Sequence, residues 1–263
     1  MKDQIILNHY KNLAKNWGLQ GQMSMQDKVI RQRESDFIIA QTQHSLRTRG
    51  ISPDKARILD LGCGNGHLLS VLWEHFAGST LVGLEFVPEL VELARQRDLP
   101  GLTIHHGDMR ESLSLGEFDV IITERSVINL LEWKWQEAAF QNITRMLTVG
   151  GHYIMVESFY ESWMELKAAR LENKLSEVPI SSHNRYLKEA CVDTLLKLGL
   201  CEVSGVEPQN ALSSHFFLSR VFQHLFTNEN TPASERVWEF FAQALPKNIG
   251  NYSPIQFRVF EKQ

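Results

Sequence analysis

A glycine-rich turn in the first third of the chain is the feature that most restricts its fold. Residues 56–61 (ARILDL) form a short apolar run that predicts a buried strand, and 67–76 has the spacing of an amphipathic helix. Between them lie Gly62, Gly64 and Gly66, at alternate positions. Such glycines allow a tight turn and leave space for a ligand beside the main chain and the helix N-terminus. The segment therefore predicts a strand–turn–helix unit with a ligand site.

Strand and helix signals alternate along the chain, and this alternation predicts the fold class. The apolar runs lie at 56–61, 80–84, 102–105, 118–123 and 152–156. Apolar strands separated by helices are typical of a mostly parallel sheet that is covered on both faces. Two later strands are predicted at 201–206 and 255–261, and the second alternates in a way that suits an antiparallel position. We expect an α/β fold with a doubly wound sheet.

Carboxylates stand at the ends of successive predicted strands, on the edge where open α/β sheets bind ligands. Asp60 ends the first strand, Glu85 ends the second, and Asp108 follows the third. An ionised Glu85 is suited to accept two hydrogen bonds from a ribose diol. Each acid has a structural alternative: Asp60 as a helix cap, Glu85 as a solvated acid, Asp108 as a turn residue. Their shared edge favours a nucleotide-type site.

The spacing of the glycine loop separates two kinds of nucleotide site. A dinucleotide fingerprint requires glycine at position 67, where this chain has His67. The chain instead has D-x-G-x-G-x-G over 60–66, which resembles motif I of the class I S-adenosylmethionine-dependent methyltransferases. Gly107-Asp108-Met109 resembles that family's adenine-binding turn. The segment 147–152 (LTVGGH) resembles its L-K-P-G-G turn, with Thr-Val in place of Lys-Pro.

The resemblance covers roughly 56–206 and the last strand, and it implies a fold, a cofactor and a set of binding residues. The fold is a Rossmann-like methyltransferase fold, with seven strands and one antiparallel strand near the end. The cofactor is S-adenosyl-L-methionine, and the reaction is an in-line displacement at its methyl carbon. The residues implied to bind the cofactor are Asp60, Gly62, Cys63, Gly64, Asn65, Gly66, Glu85, Phe86, Asp108, Met109, Glu124 and Arg125.

Residues 1–50 are predicted to form a helical arm before the methyltransferase domain, 51–263. Residues 1–57 hold ten Lys and Arg against five Asp and Glu, whereas the remainder has a net charge of −9. One helix of the arm is predicted to have Arg33 near the centre of an apolar face formed by Val29, Ile30, Phe37 and Ala40. An unpaired buried charge is costly, so Arg33 is predicted to reach the cofactor's carboxylate. An internal salt bridge is the alternative.

Two insertions, at about 160–182 and 209–250, are expected to form helical lids over the carboxyl edge of the sheet. The second is rich in aromatic residues, which suits either an enclosed small-molecule pocket or the core of an added helical layer. His183 follows the first insertion and is predicted to take a proton from a hydroxyl acceptor. An exposed His183 at a helix start is the structural alternative. The other candidates for a catalytic base are Glu124, Glu157 and His215.

Composition narrows the class of protein and its partners. Of 263 residues 43% are hydrophobic and the net charge is −4, which allows a sizeable core and disfavours a surface built for nucleic acid. No apolar run reaches the roughly 18 residues of a membrane span, and the three scattered cysteines indicate neither disulfides nor a metal site. We expect a cytoplasmic enzyme that methylates an O or N atom of a small molecule. A methyltransferase for RNA or protein and a non-catalytic nucleotide-binding module are the alternatives.

Overall fold

The computed structural model describes residues 2–225 and 244–263, and a seven-stranded sheet forms its centre. The strand order is β3-β2-β1-β4-β5-β7-β6. Neighbours among β1 to β5 are parallel, and β7 is antiparallel to both β5 and β6. This confirms the predicted doubly wound fold. The strands are β1 (Arg57–Leu61), β2 (Thr80–Glu85), β3 (Leu102–His106), β4 (Phe118–Glu124), β5 (Leu147–Ser158), β6 (Leu200–Val203) and β7 (Ile255–Lys262).

Helices cover both faces of the sheet. They are α1 (Lys2–Trp17), α2 (Lys28–Thr48), α3 (His67–His75), α4 (Pro88–Arg95), α5 (Trp133–Met146), α6 (Tyr160–Glu172), α7 (Ala190–Lys197) and α8 (Ser213–Phe217). On one face α2 and α3 contribute Phe37 and Leu69 to a hydrophobic core. On the other face α5 and α7 contribute Phe140 and Leu195 to a second core. None of the helices in the described ranges has the length and apolar content to cross a membrane.

The central strands supply both cores through the alternation of their side chains. In β4, Val120 and Ile122 lie in the first core, whereas Ile121 lies in the second. In β5, Ile154 lies in the first core and Tyr153 in the second. These two side chains and the three of β4 are fully buried. Successive side chains of a strand point to opposite faces of the sheet. The apolar runs in the sequence therefore correspond to strands that are buried on both sides.

The buried face of α2 differs from the predicted one. Its buried side chains include Ile30, Glu34, Phe37, Ile38 and Gln41, whereas Ala40 is exposed. The stripe runs through Glu34, and Arg33 lies beside it as a half-buried residue. The predicted face shares Ile30 and Phe37 with the observed one, but it lacks Glu34 because this buried residue is charged.

Two predicted boundaries shift in the structure. The helix whose start the sequence places next to His183 begins at Ala190, and the glycine turn of the segment 147–152 lies inside β5. β5 starts at Leu147, directly after α5. A register shift against β4, between Phe118 and Val120, lets the strand pass through this turn without ending.

The two predicted insertions have different structures. In the first, α6 ends at Glu172 and irregular chain follows. In the second, α8 continues into a π-helical turn, Leu218–Phe222. The aromatic residues Phe226, Trp238, Phe240 and Phe241 of the second insertion lie outside the described residues. Structural support for a lid is therefore limited to its first part.

Candidate active site

The glycine loop between β1 and α3 forms one wall of a cleft at the carboxyl edge of the sheet. The backbone N–H of Gly62 donates to the carbonyl of Leu84 at 2.8 Å, which ties the loop to β2. Gly62, Gly64 and Gly66 have φ values of +84°, +55° and +72°, in the left-handed region that glycine adopts readily. A Cβ at Gly62 would lie 2.4 Å from the Cβ of Ser126. The loop therefore needs glycine to pass the end of β4.

Glu85, at the end of β2, orders this loop and lines the cleft. Its Oε2 accepts from the N–H of Gly64 at 2.9 Å, and its Oε1 accepts from the N–H of Val87 at 2.8 Å. Burial raises the pKa of Glu85, although these hydrogen bonds oppose the rise. The pKa of Asp60 is raised well above its usual value by burial, and then by Glu124 and Glu85. Three acids on one cleft favour a ligand that is cationic or rich in hydroxyl donors.

Asp108, after β3, is held by an arginine that no motif indicated. Its carboxylate accepts from the Nε of Arg110 at 2.8 and 2.9 Å, and from the backbone N–H of Arg110 at 2.8 Å. Arg110 also donates to Asp3 of α1 at 2.9 Å and lies over the ring of Trp135 at 4.7 Å. The start of α1 therefore contacts this end of the cleft.

Arg125, after β4, joins the sheet edge to the N-terminal helices. Its Nε donates to Glu34 at 2.9 Å, its Nη1 donates to the carbonyl of Ser24 at 2.9 Å, and Glu124 lies 3.4 Å away. Its φ is +54°, a conformation that costs a non-glycine residue about 1–3 kcal/mol. Burial raises the pKa of Glu34 to about 8. Arg125 lowers this pKa, and Glu124 raises it further. These contacts hold Arg125 in its strained conformation.

The segment between α1 and α2 packs over the glycine loop. The side-chain amide of Asn65 donates to the carbonyls of Gly18 and Gln20 at 2.8 and 3.1 Å. Met23 follows, and its Cε lies 3.5 Å from the position of a Cβ at Gly64. Asn65 therefore links the loop to the arm, and the arm helps to cover the cleft.

The cleft encloses about 1140 Å³, part of which is open to solvent. The predicted cofactor residues that line it are Asp60, Gly62, Cys63, Gly64, Asn65, Glu85, Phe86, Asp108, Met109, Glu124 and Arg125. Gly66 lies behind the loop, where a Cβ would be 3.2 Å from Ala94. The lining residues that the sequence analysis missed include Ile6, Tyr10, Met23, Arg31, Arg110 and Asn129. In the sequence, the contact of the arm with the cleft is indicated by Glu34, an acid in the middle of an apolar stripe. In the structure Glu34 accepts from Arg125, which lines the cleft.

Arg33 does not line this cleft. Its Nη1 donates to the carbonyl of Ala211 at 3.3 Å. Arg31, two residues earlier, does line the cleft. Arg31 is three residues from Glu34 and therefore shares its side of α2, whereas Arg33 points to a different side. The predicted contact of Arg33 with the cofactor's carboxylate has no support in this geometry.

A second cavity adjoins the cleft, and the two share Tyr10, Ser24 and Arg125 as lining residues. It encloses about 850 Å³, part of which is open to solvent. Its walls come from α1, the chain before α7, the π-helical turn and the start of β7, segments that are far apart in the sequence. The arrangement can hold two ligands side by side.

His183 lies in the second cavity. Its ring stacks on that of His9 from α1, with the ring centroids 3.6 Å apart. Burial, and then His9, lower the pKa of His183 to about 4. The imidazole is therefore neutral near pH 7 and able to accept a proton. Glu124, the other predicted catalytic residue, lines the first cleft.

Three other reactive side chains near the two cavities have contacts that indicate structural roles. Burial raises the pKa of the Cys63 thiol well above its usual value, so a thiolate is disfavoured. Glu157 accepts from the backbone N–H groups of 126–128 at 2.9 to 3.4 Å and holds the turn after β4. The Nε2 of His215 lies 2.9 Å from Oδ2 of Asp27.

The family of the chain is shown by its match to a family model. Residues 52–213 match the model described as a methyltransferase domain. The chain belongs to this methyltransferase family, and its sheet order and glycine loop are those of the class I, S-adenosylmethionine-dependent type.

Two curated proteins are similar to parts of the chain. The dTDP-3-amino-3,4,6-trideoxy-alpha-D-glucopyranose N,N-dimethyltransferase of Streptomyces venezuelae is 25% identical over 148 residues, 54% of this chain and 61% of that protein. The trans-aconitate 2-methyltransferase of Acidovorax sp. (strain JS42) is 34% identical over 107 residues, 40% of each chain. The chain thus matches about half the length of these relatives.

One solved structure matches almost the whole chain. The N-methyltransferase NodS of Bradyrhizobium japonicum WM9, in complex with S-adenosyl-L-homocysteine, matches over 97% of this chain and 98% of its own. The TM-score is 0.58 and the sequence identity is 16%, so the likeness is one of fold.

The residues of the cleft fit S-adenosylmethionine. A Cβ at Gly64 would project into the cleft toward Met23, so glycine leaves the space that a ligand needs. The buried acids Asp60 and Glu85 suit a cationic sulfonium and ribose hydroxyls. Asn129 also lines the cleft, and its Oδ1 is buried without a hydrogen-bond partner among the described residues. The cleft therefore offers carboxylate and amide oxygens as acceptors for such a ligand.

Proposed function

We propose that the protein transfers a methyl group from S-adenosyl-L-methionine to an O or N atom of a small-molecule acceptor. The observation that carries this proposal is the second cavity, which adjoins the cofactor cleft at Tyr10, Ser24 and Arg125. A common wall brings two ligands within reach of one another. Proximity and orientation alone contribute up to about 7–11 kcal/mol in favourable systems.

The residues that would hold the cofactor are those of the glycine loop and the strand ends. Glu85 and Asp60 would bind its hydroxyl and cationic groups, and Asp108 with Met109 would bind its adenine end. The bound cofactor supplies an electrophilic methyl group. The segment before α2 and the first helix cover part of the cleft and would shield the cofactor there from water, through the bonds of Asn65 to the arm and of Arg110 to Asp3.

The need for a base depends on the acceptor. An amine in its free-base form needs none, whereas a hydroxyl group must lose its proton. His183 is our candidate for this role, since it lies in the second cavity and its imidazole is unprotonated near pH 7, although the lowered pKa makes it a weaker base than a free imidazole. The stacked ring of His9 orients it. The π-helical turn and Phe216 also line this cavity, which supports the second insertion as a lid over the acceptor.

The arm's contacts favour a small molecule over RNA or protein. Its positive charge is the feature that could attract nucleic acid, but Lys2 pairs with Glu132 and Lys11 pairs with Glu89, at 3.2 and 2.7 Å. The same arm forms walls of both cavities. The two curated relatives are named for small acceptors, an amino sugar nucleotide and trans-aconitate, which supports the same substrate class.

Methyl transfer can be tested without a known acceptor. The protein is incubated with methyl-labelled S-adenosylmethionine and pooled metabolite extract, with RNA in a parallel tube, and products are identified by mass spectrometry. We expect a labelled small molecule and unlabelled RNA. Label in RNA alone would contradict the proposal. Calorimetric binding of S-adenosylhomocysteine with no label in any tube would favour the non-catalytic module.

A further inference from the structure

The second cavity has two arginines beside an apolar wall. Its lining includes Arg125 and Arg220, and no Asp or Glu occurs among the described lining residues. The apolar wall consists of Leu13, Met25, Ile30, Ile128, Phe216 and Ile255, among others. A partly enclosed site lined by one sign of charge favours a ligand of the opposite sign.

Arg220 has fewer acidic partners among the described residues than Arg125, the other arginine of this cavity. Arg125 contacts two acids, Glu34 at 2.9 Å and Glu124 at 3.4 Å. His183 is neutral near pH 7, since burial lowers its pKa. Arg220 contacts one acid, Asp27, at 3.2 Å, and its side chain is 25% exposed.

Asp27 compensates Arg220 only in part, because several donors share its charge. One carboxylate oxygen accepts from the backbone N–H groups of Val29 and Ile30, at 3.1 and 3.3 Å, as the N-cap of α2. The other lies 2.9 Å from the ring of His215 as well as beside Arg220. A guanidinium has five N–H donors, and among the described residues one of those of Arg220 donates to an acceptor.

The backbone around Arg220 is unusual and fixed. Arg220 lies in the π-helical turn, a rare conformation that occurs frequently at functional sites. Its carbonyl accepts a hydrogen bond from Arg170 of α6, which ties the turn to the first insertion. The guanidinium carbon lies 5.7 Å from the centre of the Phe216 ring. The turn and the ring together position the guanidinium beside the cavity.

We infer that the methyl acceptor carries an anionic oxygen group, a carboxylate or a phosphate, and that Arg220 binds this group in the second cavity. The inference rests on the proposed function and names its substrate class. Guanidinium is suited to bind either group through two parallel hydrogen bonds. The apolar wall then contacts the body of the acceptor, and the reacting atom faces the wall shared with the cofactor cleft.

The charge of the acceptor can be tested before its identity is known. Metabolite extract is separated on an anion exchanger, and the retained and unretained fractions are each incubated with the protein and methyl-labelled S-adenosylmethionine. We expect label in the retained fraction. Treatment of that fraction beforehand with phosphodiesterase and phosphatase together removes the label if the group is a phosphate and leaves it if the group is a carboxylate.

Variants then test Arg220 with the purified labelled acid. Arg220→Gln should raise KM for the acid about 10- to 100-fold, and Arg220→Lys should raise it less. The KM for S-adenosylmethionine should be unchanged. Arg47→Gln is the matched control, since Arg47 is exposed on α2 and lines neither cavity.

The experiment distinguishes failure of this inference from failure of the proposed function. Label confined to the unretained fraction, or equal kinetics of wild type and Arg220→Gln, would overturn the inference and leave methyl transfer intact. No label in either fraction, despite calorimetric binding of S-adenosylhomocysteine, would overturn the proposed function and the inference with it.

Discussion

The cofactor cleft and the second cavity share a wall but are assembled in different ways. The cleft is lined mainly by residues within a few positions of the ends of β1 to β4, and the parallel sheet brings those ends together. The second cavity combines His9, His183, Arg220 and Ile255, which come from four distant segments. The residues for the methyl donor are thus fixed by the sheet, whereas those for the acceptor depend on how the arm and insertions pack. We expect substitutions in the two regions to separate cofactor binding from turnover.

The largest effect is expected at Gly64 of the cleft. Gly64→Val places a branched side chain at φ +55°, in the space between the loop and Met23. We expect affinity for S-adenosylhomocysteine, measured by calorimetry, to fall more than about 100-fold. A valine that preserved binding would remove the glycine loop from the cofactor site.

The matched control for this variant is Gly50→Val. Gly50 has a similar φ of +64°, but a Cβ there meets nothing within 4 Å. Both variants carry the same kind of backbone strain, and both should shift the melting temperature. Only Gly64→Val should abolish binding, because only Gly64 lines the cleft. Equal loss of binding in both would indicate general destabilisation of the fold.

The next effect is expected in the second cavity, at His183. For a hydroxyl acceptor, His183→Ala should lower kcat by about 100-fold and leave the affinity for S-adenosylhomocysteine unchanged. His75→Ala is the control, since His75 is exposed and lines neither cavity. Turnover close to that of wild type would exclude His183 as the base.

The pH profile of turnover also tests whether His183 is the base. A lowered pKa keeps the imidazole in its neutral, proton-accepting form down to about pH 4. The acidic limb of kcat should therefore lie well below pH 6.5, the usual value for histidine, and His183→Ala should abolish this limb. A limb near pH 6.5 that survives the substitution would assign the titration to another group.

A moderate effect is expected from Glu85 in the cleft. Glu85→Ala removes the acceptor for the ribose and the bonds to the N–H groups of Gly64 and Val87. We expect the affinity for S-adenosylhomocysteine to fall by about 1–3 kcal/mol. Glu85→Gln keeps one acceptor oxygen and should lose less. Unchanged calorimetric affinity in Glu85→Ala would assign the ribose to a different residue.

The strand-end part of the cleft could be predicted from the sequence because its residues follow local patterns, whereas the part that the arm contributes, such as Asp3 and Tyr10, has no such pattern. Asp60, the glycine loop and Glu85 are ordered by strand ends that alternate regularly with helices. The acceptor side offered no such pattern, since the neighbours of His183 include His9, 174 positions away, and no spacing rule connects them. Arg33 shows that prediction can also fail within one helix. The apolar stripe placed Arg33 at the centre of the buried face of α2, but in the structure that face runs through the charged residue Glu34.

The smallest effect is expected for two arginines of α2, and comparing them tests which side of α2 faces the cleft. Arg31 lines the cleft and donates to the carbonyl of Met25 at 2.8 Å, whereas Arg33 donates to Ala211. Arg31→Met should weaken S-adenosylhomocysteine binding about fivefold, roughly 1 kcal/mol, since a half-exposed charge is well screened. Arg33→Met should leave affinity unchanged.

Both substitutions replace an arginine of α2 with the same shorter, uncharged side chain, so packing on α2 is disturbed to a similar degree. Calorimetry measures the affinity, and thermal unfolding reports any loss of stability. A loss of affinity in Arg33→Met alone would restore the assignment made from the apolar stripe and contradict the structure's placement of α2. An equal loss in both, accompanied by an equal fall in melting temperature, would show that α2 supports the cleft as a whole and that neither arginine contacts the cofactor.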